Sequence, residues 1–363
     1  MSDSTRLIAL RARMRDTGTD LVALGPGPNM LWVAGFQTHA DERPCLLMVT
    51  QDSAGFLMPV LNAADARQHS DLPMFTWADA DGPGAALQVA LGELNISTAR
   101  KVGVDDAMRA DFALLLLDAM PQARHAMASD CLGPLRLLKD AGEQDELRMN
   151  AAIADAAMEA VFAALRPGLT EADMAQIAIG IFKDHGATPL FAIIGTGANG
   201  AYPHHHTGDT VLKSGDAIVI DIGARKGGFS SDITRMAVLG QPSAEYMAVH
   251  QVVEAAVQAA LAAAQPGAPA NAVDRAARGV ITDAGFGPQF VHRTGHGMGL
   301  EGHEPPWISD SSETILRPGM VYSIEPGIYL EGRFGLRLED IVIQQQDGPE
   351  VLSKLPRDVR IIP

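Results

Sequence analysis

Four carboxylates and a run of histidines carry the chemistry that can be read in this chain. Residues 216–239, DAIVIDIGARKGGFSSDITRMAVL, read as two strands rich in Ile, Val and Ala, joined at Arg225-Lys226-Gly227-Gly228. With Lys226 and Gly227 at the turn centre, antiparallel pairing sets Asp221 directly opposite Asp232 on one face. Opposed Cβ atoms in such a pair lie roughly 5 Å apart, where like charges are destabilising. A cation between them resolves the conflict; taken alone, this hairpin also fits two hydrated aspartates at strand ends. The ribbon at 320–344 repeats the arrangement: Glu325 and Glu339 stand symmetrically about Gly332, so a hairpin centred there opposes them. Two ribbons with one device favour the cation.

Between the ribbons runs HRTGHGMGLEGHEPP, which places His292, His296 and His303 in a glycine-rich segment unable to hold a stable helix. Carboxylates with an imidazole suit a hard or borderline divalent ion, Mn²⁺, Co²⁺, Fe²⁺ or Zn²⁺, better than a thiolate site would. Four carboxylates can hold two such ions about 3.5–4 Å apart, a pair that generates hydroxide at neutral pH and stabilises a developing oxyanion. The residues alone therefore point to a dinuclear metallohydrolase.

The surrounding elements must position these groups. Residues 1–130 alternate helix and strand signals: strands at 21–24, 45–50, 55–59 and 101–104, with helices near 85–94 and 110–120. That is the pattern of an α/β domain, and it contains no clustered catalytic set. Character changes after Cys131. Long alanine-rich helices are expected at 143–165, 244–264 and 270–284, and a further one is opened by Thr170 as N-cap. Residues 131–363 thus form an α+β domain in which each half has two helices and a carboxylate-bearing ribbon. This hints at an internal duplication without a residue-level repeat.

The 363 residues are enough for two domains, and 47% hydrophobic with 20% charged residues is an ordinary globular composition. A net charge of −16 with no Lys/Arg block argues against nucleic-acid binding. Two cysteines, no apolar leader and no run near the ~20 apolar residues of a membrane span point to a cytoplasmic protein.

Asp221, Asp232, His296, Glu325 and Glu339, in this order and spacing, resemble the five metal ligands of the creatinase/aminopeptidase ("pita-bread") metallopeptidases. That family includes methionine aminopeptidase, Xaa-Pro aminopeptidase and Xaa-Pro dipeptidase (prolidase). The strings DIGA…SDITR, HRTGHGMGLEGHEPP, IEPGIY and LRLED carry the resemblance, which extends over the whole chain if the first domain is creatinase-like. It implies a creatinase-like N-terminal α/β domain, a pita-bread catalytic domain and two divalent ions, Mn²⁺ foremost. By motif position, Asp221 would bind one ion, Asp232 and Glu339 would bridge both, and His296 with Glu325 would complete the second. Glu325 would also be the general base. His204 would bind substrate, and His303 would stabilise the tetrahedral intermediate or the leaving proline nitrogen. His292, Arg337 and Tyr329 fall where the family keeps groups beside the ligands.

His205 and His206 read as bystanders, and Asp340 as a structural group on the far face of its strand. Ser230, Ser231 and Asp216 read as turn and strand-end groups.

The two-domain layout favours the prolidase and Xaa-Pro aminopeptidase branch, and so hydrolysis of the imide bond before proline in Xaa-Pro dipeptides or short peptides. The resemblance also implies a homodimer. Two alternatives share the scaffold: a small-molecule amidohydrolase or lyase of the ectoine or sulfonium-compound type, and a non-catalytic peptide-binding module.

Overall fold

Alternation of strand and helix in the first third of the chain produces one mixed sheet. A computed structural model describes residues 3–363. In chain order the first unit runs α1 (Asp3–Thr17), β1 (Leu21–Leu24), α2 (Pro28–Ala34), β2 (Leu46–Thr50), β3 (Ala54–Pro59), α3 (Val60–Ala66), β4 (Met74–Trp77), α4 (Gly84–Glu93), β5 (Lys101–Val104), α5 (Ala110–Asp118), β6 (Arg124–Met127) and α6 (Ser129–Arg136). Its sheet has the order β4-β3-β2-β1-β5-β6. Every residue of β1, β2 and β3 is buried, as expected of strands covered on both faces.

The unit ends at Arg136, not at residue 130. The reason is α6: its Cys131 and Leu132 are buried, and the Cys131 thiol lies 3.2 Å from the Thr17 hydroxyl at the end of α1.

The second unit opens with α7 (Ala141–Ala164) and α8 (Glu171–Asp184), each started by a capping box, Asp140 with Glu143 and Thr170 with Asp173. Strands β7 (Thr188–Thr196), β8 (Ala217–Lys226), β9 (Phe229–Ser230) and β10 (Ile233–Leu239) follow, then α9 (Ala244–Ala263) and α10 (Ala270–Asp283). The chain closes with β11 (Gly295–Gly297), β12 (Glu304–Ile308), β13 (Val321–Ile324), β14 (Gly327–Leu330), β15 (Phe334–Arg337), β16 (Asp340–Gln345), β17 (Gly348–Val351) and β18 (Arg360–Ile362). One sheet is ordered β18-β10-β8-β7 and a second β12-β11-β13-β16-β17, with β14-β15 as a separate ribbon. No helix of the described residues is long and apolar enough to cross a membrane.

The duplication that the sequence only hints at is explicit in the backbone bonds. Gly168 N donates to Leu212 O and Leu212 N to Leu169 O, with Thr170 bridged to Val211; in the second half Gly267 N donates to Leu316 O and Leu316 N to Ala268 O, with Pro269 bridged to Ile315. Gly215 N to Leu239 O has its counterpart in Gly319 N to Gln344 O. Main-chain geometry has kept a repeat that side chains no longer show.

The two ribbons differ in how well their registers follow the sequence. In the first, β8 pairs with β9 and β10 so that Asp221 faces Thr234, not Asp232. The turn centre is Gly227-Gly228, with φ of 62° and 87°. A two-residue hairpin turn of this hand needs positive φ at both central residues, which two glycines satisfy and Lys226 would not. Moving the centre by one residue moves the partner by two, so Asp232 stays on the same face as Asp221. In the second ribbon Gly327 faces Arg337 and Ile324 faces Asp340, placing Glu325 level with Glu339 as expected. The ladder breaks at that point for a visible reason: Glu325 N donates to Thr294 O, and Glu339 N to Thr234 O. These two bonds knit the second ribbon to the histidine segment and to the first ribbon.

Candidate metal centre

The knitted backbones form the floor of a cavity of about 910 Å³ within the second unit, lined by all five expected ligands together with His204, His292, His303 and Arg337. Asp221 is carried by β8, Asp232 by the break between β9 and β10, His296 by β11, and Glu325 and Glu339 by the interrupted ladder of the second ribbon. Ligating atoms of Asp232, His296 and Glu339 all lie within 4.8 Å of one another. His296 Nε2 is 3.2 Å from Glu325 Oε1 and 3.9 Å from Asp232 Oδ2.

The imidazole is oriented from behind. His296 Nδ1 lies 3.1 Å from Gly297 O, which can only accept, so Nδ1 carries the proton and Nε2 points its lone pair at the carboxylates. A lone pair facing anionic oxygens requires either a second proton on the ring or a cation between them. The backbone approach here is tight: a Cβ on Gly295 would overlap the Ser323 carbonyl, and one on Gly297 the Pro305 carbonyl. Gly297→Ala is therefore expected to cost at least about 3 kcal/mol, the upper end for overpacking. Urea unfolding measures it, and a loss below about 1 kcal/mol would contradict the crowding argument.

Arg337 addresses three groups at once. Its Nε donates to Thr234 Oγ1 (3.1 Å), its Nη1 to Tyr329 Oη (2.9 Å), and its Nη2 to Asp221 Oδ2. Thr234 in turn donates to Glu339 Oε2 at 2.7 Å. Tyr329 Oη lies 2.8 Å from His292 Nε2, while His292 Nδ1 gives its proton to Arg293 O. One chain thus runs from Asp221 through Arg337 and Tyr329 to His292.

The electrostatics are those of an anionic site short of positive charge. Burial first, then the neighbouring carboxylates, push Asp232 and Glu339 well above the usual carboxylate range. Burial also raises Asp221, with Arg337 opposing. Glu325 differs: burial works against its charge, but the His296 hydrogen bond and charge outweigh it and hold it at about 2. Asp221 Oδ1, Asp232 Oδ1 and Glu339 Oε1 are buried without any hydrogen-bond partner. A buried unpaired polar atom costs about 1–3 kcal/mol, more when charged. Asp232 and Glu339 bring such carboxylates within 4.8 Å of the His296 imidazole, with Asp221 lining the same cavity, a donor set that fits hard or borderline divalent cations.

The remaining expected residues divide. His303 stacks edge-on against His296, ring centres 4.1 Å apart; burial, then the charge of His296, lowers it to about 4. His204 is exposed at the cavity wall. Asp340 is fully buried on the face opposite Glu339, 2.7 Å from Arg235 and 2.6 Å from Arg357, as a structural group should be. His206 is exposed. His205 is no bystander: its Nε2 lies 2.7 Å from Glu171 Oε2.

Sequence reasoning missed Thr234, which faces Asp221 in the ladder and lies two residues from Asp232, a same-face spacing that could have found it. It also missed Ser323, whose hydroxyl donates to Glu325 Oε1 at 2.9 Å. Arg293, stacked over Trp307 at 4.4 Å, lines the cavity as well.

Comparison with known proteins agrees with this geometry. Residues 145–345 match the family described as metallopeptidase family M24, and residues 6–138 the creatinase/prolidase N-terminal domain. A probable dipeptidase PepE of Mycobacterium tuberculosis is 37% identical over 365 residues, spanning 99% of this chain and 96% of the relative. An Xaa-Pro dipeptidase of Pyrococcus furiosus is 32% identical over 356 residues, spanning 98% and 99%. Among solved structures, dipeptidase PepE from Mycobacterium ulcerans superimposes with a TM-score of 0.94 at 35% identity, covering 99% of this chain and 98% of that one. A prolidase from Thermococcus sibiricus gives 0.94 at 30% identity, with each chain fully covered.

Proposed function

The chain belongs to metallopeptidase family M24, with a creatinase/prolidase N-terminal domain and a pita-bread catalytic domain, and on that premise we propose that it hydrolyses the imide bond before proline in Xaa-Pro dipeptides. The observation that carries this reading is the clustering of Asp232, Glu339 and His296 ligating atoms, with three unpartnered carboxylate oxygens, in a peptide-sized cavity. Relatives spanning nearly the full chain are named Xaa-Pro dipeptidase, which favours the dipeptide over longer peptides.

Asp221, Asp232, His296, Glu325 and Glu339 would hold two divalent ions, with Mn²⁺ best matched to an oxygen-rich donor set. When bound, the ions supply Lewis acidity: they acidify water and offset negative charge developing on oxygen. Glu325 Oε1 accepts from the Ser323 hydroxyl, leaving Oε2 to accept a proton from the attacking water. His303, held neutral at pH 7, offers an N–H to the developing oxyanion or to the leaving nitrogen without standing charge. His204, which also lines the cavity, orients the substrate. Phe191, Ile193, Tyr202 and Val291 give the cavity apolar walls that suit a pyrrolidine ring and exclude water from it. A cytoplasmic homodimer completes the proposal; Cys45 and Cys131 are both buried and free, in keeping with a reducing compartment.

The test is hydrolysis of an Xaa-Pro dipeptide, an Xaa-Pro-Xaa tripeptide and a proline-free dipeptide, after chelation and after adding back Mn²⁺, Co²⁺ or Zn²⁺. Metal-restored cleavage of the Xaa-Pro dipeptide alone is expected. Preference for the tripeptide makes the chain an aminopeptidase, and no cleavage by metal-loaded protein moves the activity to a small-molecule amidohydrolase or lyase.

A further inference from the structure

The wall that carries His204 is fastened by a single carboxylate lying outside the cavity. Glu171, the first residue of α8, is fully buried and accepts five hydrogen bonds. Its Oε1 takes Thr196 N (2.9 Å), Thr196 Oγ1 (3.0 Å) and Asn199 Nδ2 (2.9 Å). Its Oε2 takes His205 Nε2 (2.7 Å) and Gly208 N (3.2 Å). These donors lie along one segment, 196–208, which leaves the end of β7, passes through a 3₁₀ turn (Gly197–Ala201) and presents Tyr202, Pro203 and His204 to the cavity.

Four of the five bonds hold the two ends of this segment. The fifth comes from His205, which is joined to the cavity-lining His204 by a single peptide unit. His205 N also donates to Tyr202 O at 3.0 Å, closing a turn around Pro203 and His204. The His205 side chain therefore fixes the direction in which its neighbour leaves the backbone.

We propose that His205, held by Glu171, is a positioning residue: it sets His204 against the substrate without touching substrate itself. This rests on the reading that His204 meets the substrate. A misplacement of about 1 Å at a group that orients substrate can cost on the order of 100-fold in rate, so the effect of freeing His205 is measurable.

The geometry separates positioning from folding. In His205→Leu, Glu171 keeps its other four donors and stays satisfied, so the fold is expected to survive with a melting temperature close to that of the parent. In His205→Gln, the amide nitrogen can still donate to Glu171, so the restraint is restored without an imidazole. His206→Leu, at the exposed neighbour, is the control.

The experiment compares the metal-loaded parent and the three variants in kcat and KM for whichever dipeptide the parent cleaves, and in amide hydrogen exchange over 196–208. His205→Leu is expected to lose about 10- to 100-fold in kcat, with faster exchange at 202–205 and an unchanged melting temperature. His205→Gln is expected to recover most of the rate and the protection, and His206→Leu to match the parent. Parent-like kcat and parent-like exchange in His205→Leu would overturn the proposal. So would a loss of rate that tracks a fall in melting temperature and is not recovered by His205→Gln. If the parent cleaves no proline peptide, the substrate assignment fails, and the exchange at 202–205 still decides the role of His205.

Discussion

Asp232→Asn is expected to raise the melting temperature of the metal-free protein and to abolish the further rise expected on adding Mn²⁺. In metal-free protein Asp232 is buried beside Glu339 and Asp221, and each charge raises the others' proton affinity. A carboxylate whose folded-state pKa is raised contributes stability that is full below its unfolded value, near 4, and is lost as pH rises through the folded value. Metal-free protein is therefore expected to be more stable at pH 5 than at pH 7, and Asp232→Asn to flatten that slope. Bound cations reverse the sign, because they favour the ionised carboxylates. At a metal concentration 100 times Kd the stabilisation is about 2.7 kcal/mol, which corresponds to roughly 5–10 °C for a cooperative unit of 150–250 residues. Calorimetry with and without chelator at the two pH values checks every sign. The same variant should lose more activity than the ~10–100-fold typical of groups behind metal ligands, since Asp232 is proposed as a ligand itself. A metal-free Asp232→Asn less stable than the parent at pH 7 would remove the electrostatic argument for a cation.

Arg235→Met is expected to cost about 3–5 kcal/mol, the range for breaking a buried charge pair. Arg235 is 1% exposed and lies on the same strand as Thr234. It donates to Asp340 Oδ1 (2.7 Å), to the carbonyls of Thr234, Glu339, Leu355 and Pro356, and to Ser353 Oγ. Removing it leaves Asp340 with Arg357 as its remaining arginine partner and strands several buried carbonyls. Asp340→Leu combined with Arg235→Met should be less destabilised than the two single losses summed, because each single loss already includes the Arg235–Asp340 interaction. Equilibrium unfolding in urea of the four proteins gives the answer. A cost below about 1 kcal/mol for Arg235→Met would show that the network is dispensable. Because Arg235 grips the backbone of both Thr234 and Glu339, the single variant should also weaken metal binding.

Much of this centre could be read directly, and the failures have causes. The second ribbon is legible because Gly332 alone offers a symmetric centre between Glu325 and Glu339. A centre one residue off follows in the first because Lys226-Gly227 and Gly227-Gly228 both look like turns; only the demand for positive φ at both central residues separates them. The error did not move Asp232 off the face, since pairing shifts by twos keep strand parity. Long helices with capping residues and Pro-Gly closures were recovered to within a few residues. Partnerships across the fold were not: Glu171 lies far upstream of His205, and no sequence period links an acid on a helix to a histidine in a loop. Thr234 and Ser323 escaped for the opposite reason, because a lone hydroxyl in a strand carries no signal until its neighbour is known to be a ligand. The boundary at Arg136 escaped because a thiol and a hydroxyl, Cys131 and Thr17, join the last helix to the first.

The repeated backbone pattern makes the centre a seam before it is a site. Each half of the second unit delivers two carboxylates, and neither half alone owns a complete donor set. Any cation held there is consequently a fastener across two separately wound pieces of chain, from Asp221 in one to Glu339 in the other. Chelation should then act as unbuttoning: hydrogen exchange should quicken first along the Thr234–Glu339 backbone bond where the halves meet, while the α7–α8 and α9–α10 pairs stay protected.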